Sequence, residues 1–426
     1  FFRDFQDQHL AFLEYIHGIP DDRQRRWYAS VLLNRLMFIY FLQKKPPGFL
    51  DGGNLNYLRD KLAESKSRGK NRFYGEFLRA LFFEGFARPE DQRSPQARSL
   101  LGKIKYLNGG LFLPHPVEQQ NPKIAVPDQA FENLFDLFDR YTWHLDDTPG
   151  GQDDEINPDV LGYIFEKYIN QKEMGAYYTK EDITGYISQN TIIPFLFDAA
   201  KVNLSDFQKV LASDADRYIY DAVKHGATLP LPPEIAVGLN DVSKRTEWNK
   251  PAPAEYALPT EIWREVVARR QRYAEVQSKI VNREIRHIND FITYNLNIRQ
   301  FAQDVIQNIN DPAHLRAFWH ALENVSVLDP TVGSGAFLFA ALNILESLYE
   351  ACLDRMQAFV DELERSGEKH RPEKFSDFRA VLERVAQHPN RKYFVFKSIV
   401  VNNLYGVDIM EEAVEICKLR LFLKLV

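Results

Sequence analysis

Cysteine is scarce in this chain of 426 residues, which holds only Cys352 and Cys417. Two thiols cannot form a zinc site together with histidines that are scattered without ligand spacing. Both cysteines fall on the apolar stripes of predicted helices. We therefore expect buried free thiols, typical of a reducing cytoplasm, and we predict no metal site.

The sequence also lacks an apolar run that approaches the length of a membrane span, and no signal peptide opens it. The composition, 45% hydrophobic and 26% charged, is that of a soluble globular protein, and the length allows two or three domains. We expect a cytoplasmic location and no membrane partner.

An excess of basic residues is missing as well, because the net charge is −6. This counts against extensive contact with duplex DNA by this part of a protein. Basic residues do cluster, and two interpretations stay open for them: solvated helix faces, or a track for phosphates. The clusters are Arg23, Arg25, Arg26 and Arg35; Lys66, Arg68, Lys70 and Arg72; and a helix predicted over 259–288.

One glycine turn carries most of the chemical information. Residues 325–328 are apolar, residues 329–338 read Asp-Pro-Thr-Val-Gly-Ser-Gly-Ala-Phe-Leu, and an apolar stripe at helical spacing follows. This order predicts a strand, a tight turn at Gly333 and Gly335, and a helix. Such a turn lets backbone N–H groups approach a ligand at the electropositive end of a helix.

A second signal lies at residues 403–408, Asn-Leu-Tyr-Gly-Val-Asp, which predict a strand ending in Asp408. A glycine turn followed by an acidic strand end is how doubly wound folds hold an adenosine cofactor. A dinucleotide fingerprint fits poorly, because its third glycine is replaced by Leu338 and the acid follows 75 residues after Gly333 rather than about 20. S-adenosylmethionine carries no phosphate and needs fewer glycines.

These motifs resemble those of large adenine-specific DNA methyltransferases. Residues 329–338 are similar to the cofactor loop of that family, and residues 405–420 look like its second motif. Residues 175–179, Gly-Ala-Tyr-Tyr-Thr, resemble the motif that closes over the methionine end of the cofactor, and residues 106–112 are a weaker match to the helical N-terminal region. The family includes type IIG and type ISP restriction–modification enzymes and PglX-like phage-defence proteins.

The resemblance implies S-adenosylmethionine as cofactor and direct methyl transfer to the exocyclic amine of a flipped adenine. It implies that Gly333 and Gly335 lie near the methionine portion and that Asp408 accepts from the ribose hydroxyls. Structural alternatives stay open, since Thr179 and Asp408 could simply cap helices. The predicted cofactor-binding residues are Tyr178 and Thr179 at the carboxylate end, Asp329 at the amino end, Pro330, Gly333, Gly335 and Ala336 in the turn, Asp408 at the ribose and Ile409 on the adenine ring.

The predicted fold class is α/β. We expect a mostly helical N-terminal domain over 1–150, then a helical region with the cofactor-capping motif and an insertion over 151–323. The first part of a doubly wound, Rossmann-like class I methyltransferase domain should occupy 324–426. Residues 27–42 are apolar nearly all round and predict a buried helix.

The catalytic tetrapeptide of the family, Asn/Asp-Pro-Pro-aromatic, occurs nowhere in the sequence. We therefore expect a piece of a longer protein, with unknown catalytic residues elsewhere. These residues alone should bind cofactor without methylating, whereas the complete protein should methylate adenine in double-stranded DNA, with other defence-system subunits as possible partners. Two alternatives remain: an RNA or protein methyltransferase, and a non-catalytic, cofactor-binding defence subunit.

Overall fold

The computed structural model describes residues 1–44, 49–107, 112–145, 154–164, 179–365 and 374–425. Helices make up most of these residues and strands are few, which agrees with the mixed, mainly helical class predicted above. The doubly wound arrangement of residues 324–426 stays a prediction. Most of the predicted capping motif, including Tyr178, lies outside the described residues.

The first part of the chain contains short strands and helices of varied length. These are α1 Phe2–Glu14, α2 Asp22–Lys44, α3 Tyr57–Arg68, π-helical stretches Phe73–Leu78 and Leu81–Phe86, a 3-10 turn Glu90–Gln92, α4 Pro95–Leu101, α5 Pro116–Gln120, α6 Asp128–Phe138, β1 Thr142–Trp143, β2 Glu155–Ile156 and α7 Asp159–Ile164.

The remainder is helical apart from a second pair of short strands. Its elements are α8 Glu181–Ala199, α9 Gln208–Ser213, α10 Asp221–Lys224, α11 Pro233–Asn240, α12 Trp263–Val281, α13 Ile288–Thr293, α14 Ile298–Gln307, α15 Pro312–Asn324, β3 Val327–Asp329, α16 Ala336–Arg365, α17 Ser376–Ala386, α18 Arg391–Asn402, β4 Leu404–Gly406 and α19 Glu411–Leu425, with 3-10 turns at Leu204–Phe207, Ala215–Tyr218 and Val242–Lys244.

The chain forms two compact units. One comprises Phe1–Lys180, Leu328–Leu338 and Gly406–Val426, and the other comprises Glu181–Val327 and Phe339–Tyr405. The first unit has an aromatic-rich core in which α2 is buried along most of its length, as predicted for a helix that is apolar all round. The apolar stripe of α6, formed by Phe131, Leu134, Phe135 and Phe138, is fully buried in the same core.

Helix α19 is anchored in the core of the first unit. Leu419 and Leu423 of α19 belong to the same buried cluster as Leu161 and Ile164 of α7. The ring of Phe422 lies 5.8 Å from the ring of Phe38 on α2. The helix that follows Asp408 is therefore held by the N-terminal helices.

Helices form most of the predicted insertion in the second unit. Phe197 of α8 packs against Phe301 of α14 and Phe318 of α15. The proline-rich stretch from about residue 226 to residue 259 contains α11 and part of a small separate core. Trp248 forms this core together with Trp263, and its indole N–H donates to the carbonyl of Ile235 at 3.1 Å.

Among the described residues, α16 is long and apolar enough to cross a membrane by length and composition. This differs from our expectation that no apolar run approaches that length. However, 67% of the apolar window is buried inside the protein, with Leu342, Leu345 and Cys352 fully enclosed. The core helix of a globular protein has the same apolar composition.

Strands β3 and β4 form a short parallel pair. The N–H of Val327 donates to the carbonyl of Asn403 at 2.7 Å, and the N–H of Val407 donates to the carbonyl of Asp329 at 2.9 Å. Because both bonds advance in the same direction along the two strands, the carboxyl ends of β3 and β4 lie side by side. These ends carry the glycine turn and Asp408.

Candidate functional site

The turn after β3 has the conformation that its glycines predict. Gly333 has a φ of 50° and Gly335 a φ of 93°, both in the left-handed region that favours glycine. The N–H of Gly335 donates to the carbonyl of Val332 at 2.8 Å, which closes the turn. Helix α16 begins at the next residue, Ala336. The predicted strand, turn and helix are therefore confirmed.

Asp408 joins the two sequence signals in space. Its Oδ2 accepts from the N–H of Gly333 at 2.9 Å, and its Oδ1 accepts from the N–H of Met410 at 2.9 Å. The second bond lies directly before α19, so Asp408 also supports the start of that helix. Because a carboxylate has about four acceptor positions, both oxygens retain capacity for further donors.

Asp329 lies half-buried at the end of β3 and close to Asp408. The pKa of Asp329 is raised above the ordinary aspartate value, mainly by burial and further by the nearby Asp408 carboxylate. The N–H of Thr331, which donates to Oδ1 at 3.0 Å, opposes this shift in part. Two neighbouring carboxylates repel each other, so a cationic ligand would be favoured here and an anionic one disfavoured.

The other predicted cofactor residues have varied surroundings. Ile409 is 91% exposed and Pro330 is exposed, so both are accessible to a ligand. Thr179 is partly buried and lies two residues before the start of α8 at Glu181. Its assignment to the methionine carboxylate stays a prediction.

Arg420 has a role that the sequence did not suggest. Helix α19 continues to Leu425, and Arg420 is buried within it. Its Nη1 donates to the carbonyl of Ser334 at 2.7 Å and to the Ser334 hydroxyl at 3.1 Å. Ser334 lies between the two turn glycines, so Arg420 of α19 supports the turn through these two hydrogen bonds.

Gly162 of α7 makes room for this arrangement. A Cβ at Gly162 would lie 2.5 Å from Nη1 of Arg420 and 2.9 Å from the hydroxyl of Ser334. A larger residue would therefore displace the guanidinium group that supports the turn. The only hint in the sequence is an arginine between two leucines, Leu419 and Leu421, in a helix with a buried face.

A cavity of about 420 Å³ opens beside Asp408. It is lined by one face of α2, by residues 113–116 and by the first turns of α19, including Glu411 and Glu415. All of these segments belong to the first unit. The sequence patterns assigned no α2 residue to the cofactor site, because α2 has the pattern of a core helix.

Two comparisons with known proteins confirm the resemblance to restriction–modification methyltransferases. Residues 304–425 match the family model described as MmeI, DNA-methyltransferase domain. Over 414 residues the chain is 28% identical to a Methanocaldococcus jannaschii protein that carries the provisional name of a type II restriction enzyme and methyltransferase. That match covers 94% of this chain and 25% of the relative, so the chain spans about a quarter of the relative's length. No solved structure matches the chain.

Proposed function

We propose that this chain, similar to restriction–modification methyltransferases, is the cofactor-binding part of an S-adenosylmethionine-dependent DNA methyltransferase that acts on the exocyclic amine of adenine. One observation carries the proposal: the carboxylate of Asp408 accepts from the N–H of Gly333. The glycine turn and the strand-end acid therefore meet at the carboxyl ends of two parallel strands. Doubly wound folds bind adenosine cofactors at this position.

The charges at the site favour this cofactor over a nucleotide with phosphates. Asp329 and Asp408 place two carboxylates near one another, where a pyrophosphate would be repelled. S-adenosylmethionine is positive at both its sulfonium and its amino group. The acidic residues and the open, glycine-lined turn thus fit the cofactor that the family resemblance implies.

Each residue would perform a separate part of the binding. Asp408 would accept from the ribose hydroxyls with the lone pairs that Gly333 and Met410 leave open. Asp329 would accept from the cofactor ammonium, and Thr179 would hold its carboxylate. When bound, the cofactor supplies an electrophilic methyl group, and the residues of this chain would orient it toward the target amine.

Methyl transfer by the intact protein is the test of this function. Given S-adenosylmethionine with a tritiated methyl group, the protein should label double-stranded DNA, and digestion should place the label on the exocyclic amine of adenine at specific sites. The Asp408→Ala variant should transfer far less. Label in RNA or protein, and never in DNA, would favour a different methyltransferase class. Cofactor binding with no transfer to any substrate would favour a non-catalytic defence subunit.

The proposed role of Asp329 predicts a pH dependence of cofactor binding. An ionised carboxylate attracts the cofactor ammonium, whereas a protonated one does not. Because burial and Asp408 raise the pKa of Asp329, affinity should fall as the pH drops, and the fall should begin at a higher pH than for an ordinary aspartate.

Calorimetric titrations with S-adenosylhomocysteine between neutral pH and about pH 4.5 would measure this dependence. Asp329→Asn should weaken binding at neutral pH and flatten the profile. Asp241→Asn is a matched control, since Asp241 also accepts a backbone N–H two residues on but lies elsewhere and is exposed. An unchanged profile in Asp329→Asn would exclude Asp329 from the ammonium site.

A further inference from the structure

The cavity beside Asp408 has the size of a small-molecule site and borders the proposed ribose-binding residue. Its volume of about 420 Å³ lies in the range of small-molecule sites, roughly 300–1,000 Å³. Asp408 forms part of its lining. A ribose bound to Asp408 would therefore carry its base at the edge of this cavity.

The cavity walls suit a flat, largely apolar group. Trp27 of α2 and His115 meet edge to face, with ring centroids 4.5 Å apart, and Val31 and Val414 add aliphatic surface. Burial, and secondarily the charge of Arg35, lowers the pKa of His115, so its ring is neutral at neutral pH. Flat aromatic walls of this kind pack well against a heterocycle.

A buried ion pair fixes the loop that forms one wall. Arg35 is 1% exposed and pairs with Glu118 at 3.0 Å. Its Nη2 donates to the carbonyl of Leu113 at 2.8 Å, and the N–H of His115 donates to Glu118 at 2.8 Å. The wall is therefore preorganised, which reduces the entropy lost on binding.

Apart from the buried indole N–H of Trp27, which also has no hydrogen-bond partner in the described part of the chain, Asn34 is a polar group of the lining that lacks a protein partner there. Its side chain is only 9% exposed and makes no hydrogen bond within the described ranges, yet it lies in the cavity lining. Buried amides are normally paired, so an unpaired one in a cavity points to a ligand with a complementary edge. An amide offers one donor and one acceptor side by side, which matches the amino group and ring nitrogen of adenine.

We infer that this cavity holds the adenine ring of the cofactor and that Asn34 of the N-terminal helical region recognises the edge of that ring. The inference rests on the proposed function and extends it by naming a base-binding residue outside the methyltransferase motifs. The lining holds three carboxylates, Asp408, Glu411 and Glu415, against two cations, Arg35 and Lys418, and this balance disfavours an anionic occupant. Ile409, exposed and adjacent to Asp408, is available to cover the outer side of the base.

The test compares two ligands and two variants by calorimetry. S-adenosylhomocysteine and its inosine analogue, which has an oxygen in place of the 6-amino group, are titrated into the wild-type protein, Asn34→Leu and Val31→Trp. Wild type should bind the adenosine compound about ten- to a hundredfold more tightly than the inosine compound. Asn34→Leu should bind both with similar, weakened affinity, and Val31→Trp should block both by filling the cavity.

Leu10→Trp is the control for the bulky substitution, because Leu10 is exposed on α1 and lies outside the cavity lining. Thermal melts establish that each variant is folded. If wild type binds S-adenosylhomocysteine while Asn34→Leu and Val31→Trp bind it equally well, the pocket assignment is wrong and the proposed cofactor stands. If wild type binds neither compound, the proposed function fails together with the pocket.

Discussion

Replacing Gly335 by valine should abolish binding of S-adenosylmethionine to this protein. Gly335 has a φ of 93°, where a β-branched side chain is strongly disfavoured. The turn would have to rearrange, which would move the N–H of Gly333 away from Asp408 and destroy the contact between the two cofactor motifs. Calorimetry would measure the loss of binding, and circular dichroism would show whether the N-terminal helices remain folded, as we expect.

Gly52→Val separates this effect from general backbone strain. Gly52 also has a positive φ, 71°, but a Cβ there would meet no atom within 4 Å and the residue lies outside the candidate site. The Gly52→Val substitution should lower the melting temperature without altering the affinity for the cofactor. If Gly335→Val binds normally, the turn is not the cofactor loop. If it unfolds the whole chain, the N-terminal helices depend on the turn.

Changing Asp408 to alanine should have the second largest effect. The substitution removes the proposed ribose acceptor and also the partner of the Gly333 and Met410 N–H groups. We expect binding to weaken by roughly 1–3 kcal/mol, the scale of a lost charge-assisted partner. Asp408→Asn retains one acceptor oxygen and should have an intermediate affinity.

Asp241→Ala is the matched control for Asp408→Ala. Asp241 likewise accepts a backbone N–H two residues along, from Ser243 at 2.9 Å, at the start of a short helical turn. The control should lose local stability only. Wild-type affinity in Asp408→Ala would show that Asp408 serves the helix start alone.

Local signals allowed the central part of the site to be predicted from the sequence. The positive φ angles at Gly333 and Gly335 follow from glycine chemistry, which acts within a few residues. The short strand that ends two residues before Asp408 and the buried stripe of α6 follow from apolar patterning. These features depend little on distant parts of the chain, so they could be recognised without a structure.

Features that depend on tertiary packing could not be predicted in the same way. Asn34 and Arg420 both lie in helices with buried faces, and only the folded chain shows that one lines a cavity and the other supports Ser334. The core around Trp248 was missed for a similar reason, because its partners come from separate parts of a proline-rich stretch. Sequence periodicity indicates which face is buried but not which groups it meets.

The proposed site for S-adenosylmethionine, formed by the turn at Gly333 and the carboxylate of Asp408, can be tested in one binding experiment. Calorimetric titration of the folded chain with S-adenosylhomocysteine, and in parallel with NAD and ATP, tests it most directly. We expect one binding site for S-adenosylhomocysteine that is lost in Gly335→Val, and no binding of the phosphate-bearing nucleotides. Binding of NAD or ATP at this site, with no heat from S-adenosylhomocysteine, would contradict the proposed site.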